Sequence, residues 1–240
     1  MRFPALLTAK IAKARIAQTF RSANQGRLLE YMNAADVLHP GSAHPVSHEK
    51  IRDILASRAP ILWIGGREPL EHPGIAHLVR ALAPTGKYLF LETNGVLLRR
   101  RIHEFQPLPR VFLTVCLDAR RKTEFDLAVE GLRAARLSGF FTAAHSLVGE
   151  SDDLVELERL RELLLEWDTD AWLITAESAN TAALRKAEQA RALVPSAGWR
   201  RFSAQVEREL LSQAKDSESP EIPLAQKPHP ESCAEGVKVA

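Results

Sequence analysis

Three segments of this 240-residue chain put reactive or ligand-holding side chains where strands give way to loops. In Gly65-Gly66-Arg67-Glu68-Pro69 two residues without a Cβ let a ligand come against the backbone, and a carboxylate follows them. In Tyr88 to Gly95 the parity of a strand sends Tyr88, Phe90, Glu92 and Asn94 one way, so a carboxylate and an amide end near one mouth. The stretch from Val111 to Asp118 alternates Val111, Leu113, Val115 and Leu117 with Phe112, Thr114, Cys116 and Asp118. Its first face suits packing against helices, and its second suits a lumen. Glu92, Asp118, His145 and Glu177 would together make an acid–base or metal site, but parity alone does not put His145 and Asp118 on the same side. Both readings of the glycines and Pro69 stay open, a ligand cradle or a tight strand-to-helix turn. Asp118 is likewise a ligand or a loop cap.

The elements that would carry these residues alternate between short apolar runs and helical patterns, which is the signature of βα units on a parallel sheet. Six strands are expected, at 27–32, 61–66, 87–93, 111–118, 140–147 and 171–176. Helices are expected between them at 47–58, 73–82, 97–105, 124–137 and 152–167, with starts marked by Ser47, by Pro73 and by Ser151 before Leu154. Six such units make an α/β fold, an incomplete barrel, with active groups at the carboxyl ends of the strands. Two further helices, 181–193 and 196–213, follow the last strand. Residues 215–240, rich in Pro, Ser, Glu and Lys without apolar periodicity, read as a disordered tail.

Charge divides unevenly along the chain. Arg2, Lys10, Lys13, Arg15, Arg21 and Arg27 precede the first acidic residue, Glu30, so the N-terminal segment carries +6 of a formal net charge of +2 and the rest carries −4. Residues 1–26 therefore read as a basic helical arm ahead of a barrel domain at 27–214, and the basic balance calls for no nucleic-acid partner. Leu6, Leu7, Ile11, Ile16 and Phe20 lie among the cations without forming one clean stripe. Such an arm either packs on the domain or makes peripheral contact with an anionic membrane. It has no continuous apolar h-region or cleavage site of a secretory signal, though its composition is compatible with a transit peptide. Cys116 and Cys233 stand too far apart to form a CxxC site or a disulfide framework, which points to a cytoplasmic location. No apolar run approaches the roughly 20 residues that span a bilayer.

Gly65, Gly66, Glu68 and Pro69, then Thr93, Asn94 and Gly95, then Leu117 and Asp118, resemble in order and spacing the strand-end motifs of the radical S-adenosylmethionine superfamily. Within it, FQPLPRVFLTVCLDA and the basic N-terminus most resemble the hopanoid-biosynthesis enzymes that add an adenosyl group to a triterpene. The resemblance runs from about Leu28 to Ser178. It implies a partial (β/α)6 barrel of radical SAM type with C-terminal helices, and S-adenosylmethionine or a related adenosyl ligand held by Gly65, Gly66, Glu68, Pro69, Asn94, Thr114 and Asp118.

Two departures from the family pattern stand out. The loop from Glu30 to Lys50 lacks the CxxxCxxC that the family uses to hold a [4Fe-4S] cluster, and Asn33, Ala34 and Ala35 stand about where the first cysteine belongs. His39, His44 and His48 in that loop cannot replace soft thiolates. They suit zinc better, but solvated loop histidines are the commoner case and no metal site is assigned there. Arg67 lengthens the family's GGEP to GGREP, which acts as a bulge that turns Glu68 away or pushes the guanidinium out. The leading expectation is a cluster-less member without radical chemistry, acting by binding or as partner of an active paralogue. The competing expectation is a working barrel enzyme, radical SAM-type or repurposed, acting on a lipid or small molecule.

Overall fold

A computed structural model describes residues 1–19, 27–34, 48–118, 120 and 122–216. The histidines His39 and His44, the expected cap Ser47, Cys233 and residues 217–240 of the expected tail lie outside the described residues, while Lys215 and Asp216 belong to the last helix.

The order of elements is α1 (Ala5–Thr19), β1 (Leu29–Asn33), α2 (His48–Ala56), β2 (Ile61–Gly65), α3 (Ile75–Leu82), β3 (Tyr88–Thr93), α4 (Leu98–Arg101), β4 (Val111–Cys116), α5 (Lys122–Leu137), β5 (Phe141–Val148), α6 (Leu154–Glu166), β6 (Ala171–Ala176), α7 (Thr181–Arg191) and α8 (Ala197–Asp216). The six strands pair in sequence order and all run parallel. The expected α/β partial barrel is the observed fold. Every residue of β2, β3 and β6 is buried, as both faces of a covered parallel sheet require. Helix starts shift by a residue or two from those expected: Asp153, not Ser151, caps α6 by accepting the Val155 N–H at 2.9 Å, α3 begins at Ile75 after Gly74, and α5 begins earlier, at Lys122.

Register sets the character of the lumen. Tyr31, Trp63, Phe90, Phe112 and Phe141 are successive Cα partners across β1 to β5 and form an aromatic row. Trp63 and Phe90 stack at 5.2 Å, Phe90 and Phe112 at 4.9 Å, each pair within 8° of parallel. Phe202 and Trp199 of α8 pack on this row, and Phe3 sets its ring edge-on to Trp199 at 4.7 Å. Two residues further along β1 to β4, on the same face, come Asn33, Gly65, Glu92 and Thr114, with Ala143 next on β5. The lumen thus has an aromatic floor and a polar upper layer.

An open half-barrel leaves two strand edges with unpaired backbone groups, which would cost free energy if buried without partners. Helix α8 serves both edges from side chains four residues apart. Ser203 and Glu207 accept from the N–H groups of Ile174 and Ala176 on β6, at 3.2 and 2.6 Å. On β1, Glu209 accepts the Leu28 N–H at 3.4 Å, while Gln213 accepts from Tyr31 at 3.1 Å and donates to the Leu29 carbonyl at 3.0 Å. Arg191 of α7 neutralises the buried Glu207 at 3.0 Å.

Helix α1 lies against this body. Leu7 is buried, Lys10 Nζ donates to the Gly86 carbonyl at 2.7 Å, and the Arg15 guanidinium bonds Gln205. Leu6 and Ile16 stay exposed. Among the described residues no helix is long and apolar enough to cross a membrane.

Candidate functional site

At the end of β2 the chain turns through Gly66 with φ at +87°, a conformation side chains rarely adopt. The space beside the two glycines belongs to this chain's own side chains. A Cβ on Gly65 would lie 2.6 Å from Glu92 Oε2 and 3.3 Å from the Tyr31 hydroxyl, and one on Gly66 would lie 2.5 Å from Asn33 Oδ1. The added Arg67 points to solvent and pairs with Glu71 at 3.6 Å. Glu68 turns the other way, into the fold. Its carboxylate accepts the Leu70 N–H at 3.0 Å, the Thr93 hydroxyl at 2.6 Å and the Asn94 N–H at 2.7 Å, so it fastens the turn after β2 to the end of β3. Pro69 is buried as the first residue of a short 3-10 turn. Burial pushes the Glu68 carboxyl above the usual carboxylate range, more than the Thr93, Asn94 and Leu70 hydrogen bonds pull it down.

Asn94 closes its own turn, its Oδ1 accepting the Val96 N–H at 3.0 Å. Of the residues expected around a cofactor, then, Gly65, Gly66, Glu68, Pro69 and Asn94 do come together. The Glu68 carboxylate and the Asn94 side-chain oxygen both serve in holding the loop.

The lumen gathers a second set. Glu92, 2% exposed, receives Trp63 Nε1–H on Oε2 at 3.0 Å, and on Oε1 both His145 Nδ1 at 2.6 Å and the Cys116 thiol at 3.3 Å. His145, fully buried, sets its Nε2 2.9 Å from the Thr175 hydroxyl. A carboxylate at Nδ1 fixes the proton on that nitrogen, so in the neutral ring Nε2 accepts from Thr175. Burial would push Glu92 up, but the hydrogen bond and charge of His145, with Trp63 and Cys116, outweigh it and hold the carboxyl below its ordinary value. The Cys116 thiol is pushed well up, by burial first and then by the Glu92 carboxylate beside it. Thr114, the Cα partner of Glu92, is fully buried, and among the described residues its hydroxyl has no hydrogen-bond partner.

A third set lies at the rim. Asp118 holds Arg120 through Nε at 2.8 Å and Nη2 at 3.2 Å, and Arg120 Nη1 reaches Glu177 at 3.3 Å and Asp152 at 3.6 Å. Glu177 Oε2 stands 2.7 Å from where a Cβ on Gly149 would lie. The four groups weighed from the sequence as one acid–base set therefore divide: Glu92 pairs with His145 inside, and Asp118 joins Glu177 through Arg120 outside. Sequence reasoning passed over Tyr31, Trp63, Arg120 and Thr175. The parity of β1 with β2 could have found Tyr31, and the Asp-x-Arg spacing of Asp118 and Arg120 could have found the rim.

The residues present do not fit an iron–sulfur cluster. The chain has two cysteines, and the described one spends its thiol on Glu92. At the glycine turn the positions a Cβ would take lie against the side-chain ends of Tyr31, Asn33 and Glu92.

No family model and no curated protein matches this chain. Among solved structures it is similar to the crystal structure of archaeal TYW1, at 17% sequence identity and a TM-score of 0.38, over 70% of this chain and 56% of that one. The chain thus spans little more than half the length of that structure.

Proposed function

We propose that this chain is a radical-SAM-like half-barrel without radical chemistry, which works by binding, as a partner of an active enzyme of the same fold. The ordered motifs GGREPL, ETNG and CLDA and the cysteine-free loop after β1 support the relationship and the loss. The observation that carries the reading is Glu68. Its Oε1 accepts from Leu70 and Thr93 and its Oε2 from Asn94, so three of the roughly four acceptor positions of the carboxylate go to holding the loop.

Without a cluster iron to chelate the amino-acid end, an adenosyl ligand would rest on hydrogen bonds of about 1.5–3 kcal/mol each to charged groups. Since each 1.4 kcal/mol is about tenfold in affinity, micromolar binding would need several such contacts. Calorimetric titration of the full chain with S-adenosylmethionine is expected to give no binding tighter than about 1 mM. Tight binding that Glu68→Ala and Asp118→Ala both abolish, with folding intact, would contradict the reading and restore a retained nucleotide pocket. Co-elution with an active paralogue on size exclusion is the expected sign of partnership, and its absence at micromolar concentrations of both would sink that part.

A further inference from the structure

We infer that Glu92, Cys116 and His145 form a mononuclear site for a zinc-like divalent cation in the lumen. Their ligand atoms, a carboxylate oxygen, a thiol sulfur and an imidazole nitrogen, all lie within 4.8 Å of one another. The arrangement is convergent: Glu92 Oε1 receives both His145 Nδ1 and Cys116 Sγ. Two hydrogens therefore point to one spot beside a single oxygen, and a cation there replaces both. Around a tetrahedral zinc ion such ligands stand about 3.3–3.6 Å apart, so the 2.6 Å and 3.3 Å separations need only a small opening.

Charge and softness agree with that ion. A dication bound by one thiolate, one carboxylate and a neutral imidazole is electrically balanced, which a buried site requires. On binding the Cys116 thiol proton leaves to solvent, and the neutral His145 ring changes tautomer, its one proton moving from Nδ1 to Nε2, where it points to Thr175, so one proton is released per cation. Thiolate with imidazole favours zinc over magnesium or calcium, and three protein ligands leave a fourth position open.

Two further observations point to a ligand. The outer hydrogen bonds that orient metal ligands are already made, His145 Nε2 with Thr175 and Glu92 Oε2 with Trp63 Nε1. Thr114 presents a buried hydroxyl without a partner on the same strand face as Cys116, where a metal-bound water would give it one. Cys116 is only partly buried, so the group is reached from the mouth. This site goes beyond the binding reading above and is independent of any adenosyl ligand.

The test is equilibrium dialysis of the full chain against zinc ion, followed by metal analysis, with cobalt(II) as the spectroscopic probe. One equivalent should be retained, and the cobalt form should show a thiolate-to-metal charge-transfer band with intense tetrahedral d–d absorption. Cys116→Ser should abolish the charge-transfer band while circular dichroism stays native. Thr175→Val should weaken zinc binding by about 10–100-fold, the cost of losing an outer-shell partner. Replacing His39, His44 and His48 together with alanine should change nothing. No stoichiometric uptake by the wild type, a charge-transfer band that survives Cys116→Ser, or uptake lost with the loop histidines would each overturn the site.

Discussion

Glu68 and Glu92 are two carboxylates drawn into the same half-barrel from neighbouring strand ends, and the fold treats them in opposite ways. Glu68 is held by two backbone N–H groups and a hydroxyl, none of them charged, and burial wins, so its carboxyl titrates higher than usual. Glu92 is more deeply buried, yet an imidazole, an indole N–H and a thiol converge on it and hold it low. Depth alone does not set the charge of a buried carboxylate. The nature of the donors does, and it separates a group that ties a loop from one that organises a lumen.

The largest expected effect comes from breaking the lumen pair. His145→Leu leaves Glu92 buried without its main partner and should cost about 3–5 kcal/mol in urea unfolding, whereas Glu92→Leu with His145→Leu should cost less than the sum of the single changes. Additive costs would mean the two residues do not act as a pair. Next is Glu68→Ala, which strands the Leu70 and Asn94 N–H groups and should cost about 2 kcal/mol. A cost equal to that of His145→Leu would erase the contrast.

The pH dependence sharpens the comparison because the two signs differ. The folded pKa of Glu92 is depressed, so its stabilisation is complete above the unfolded value of about 4.3 and is lost as pH falls through the lower folded value. The folded pKa of Glu68 is raised, so its ionisation opposes folding above that value, and the penalty is relieved as pH falls toward about 4.3. Wild type should therefore gain on Glu68→Gln between neutrality and about pH 4.3, and lose its advantage over Glu92→Gln only below it. Unfolding midpoints measured across that range check this, and differences that move in the same direction would contradict it. The smallest effect belongs to the rim: Arg120→Ala should shift stability by about 1 kcal/mol or less, and less still in high salt, because its pairs are partly exposed.

The strands, their order of use and the polar face of β4 were legible in the sequence because each rests on local periodicity. Phe112, Thr114 and Cys116 declare their shared face by alternation alone. What joins them does not show locally. That His145 meets Glu92 and not Asp118 depends on the stagger between β3, β4 and β5, with Cys116 opposite His145 but Thr114 opposite Glu92. The aromatic row likewise needs five registers at once. The service of Ser203, Glu207, Glu209 and Gln213 to the two sheet edges was also invisible, since helical spacing says which side chains share a face and not that a strand edge lies beneath them. Arg67 was read as an insertion that either turns Glu68 away or pushes its own guanidinium out, and only the second holds: the guanidinium faces solvent while Glu68 turns inward onto Thr93 and Asn94.

The proposal that this barrel holds no iron–sulfur cluster is tested most directly by anaerobic reconstitution of the full chain with iron and sulfide. Three neighbouring thiolates are needed to hold a [4Fe-4S] cluster, and Cys116 and Cys233 are all the chain has. After desalting, the protein should show no broad visible absorbance, no stoichiometric sulfide and no paramagnetic signal on reduction with dithionite. A stoichiometric cluster with a reducible signal would contradict the account.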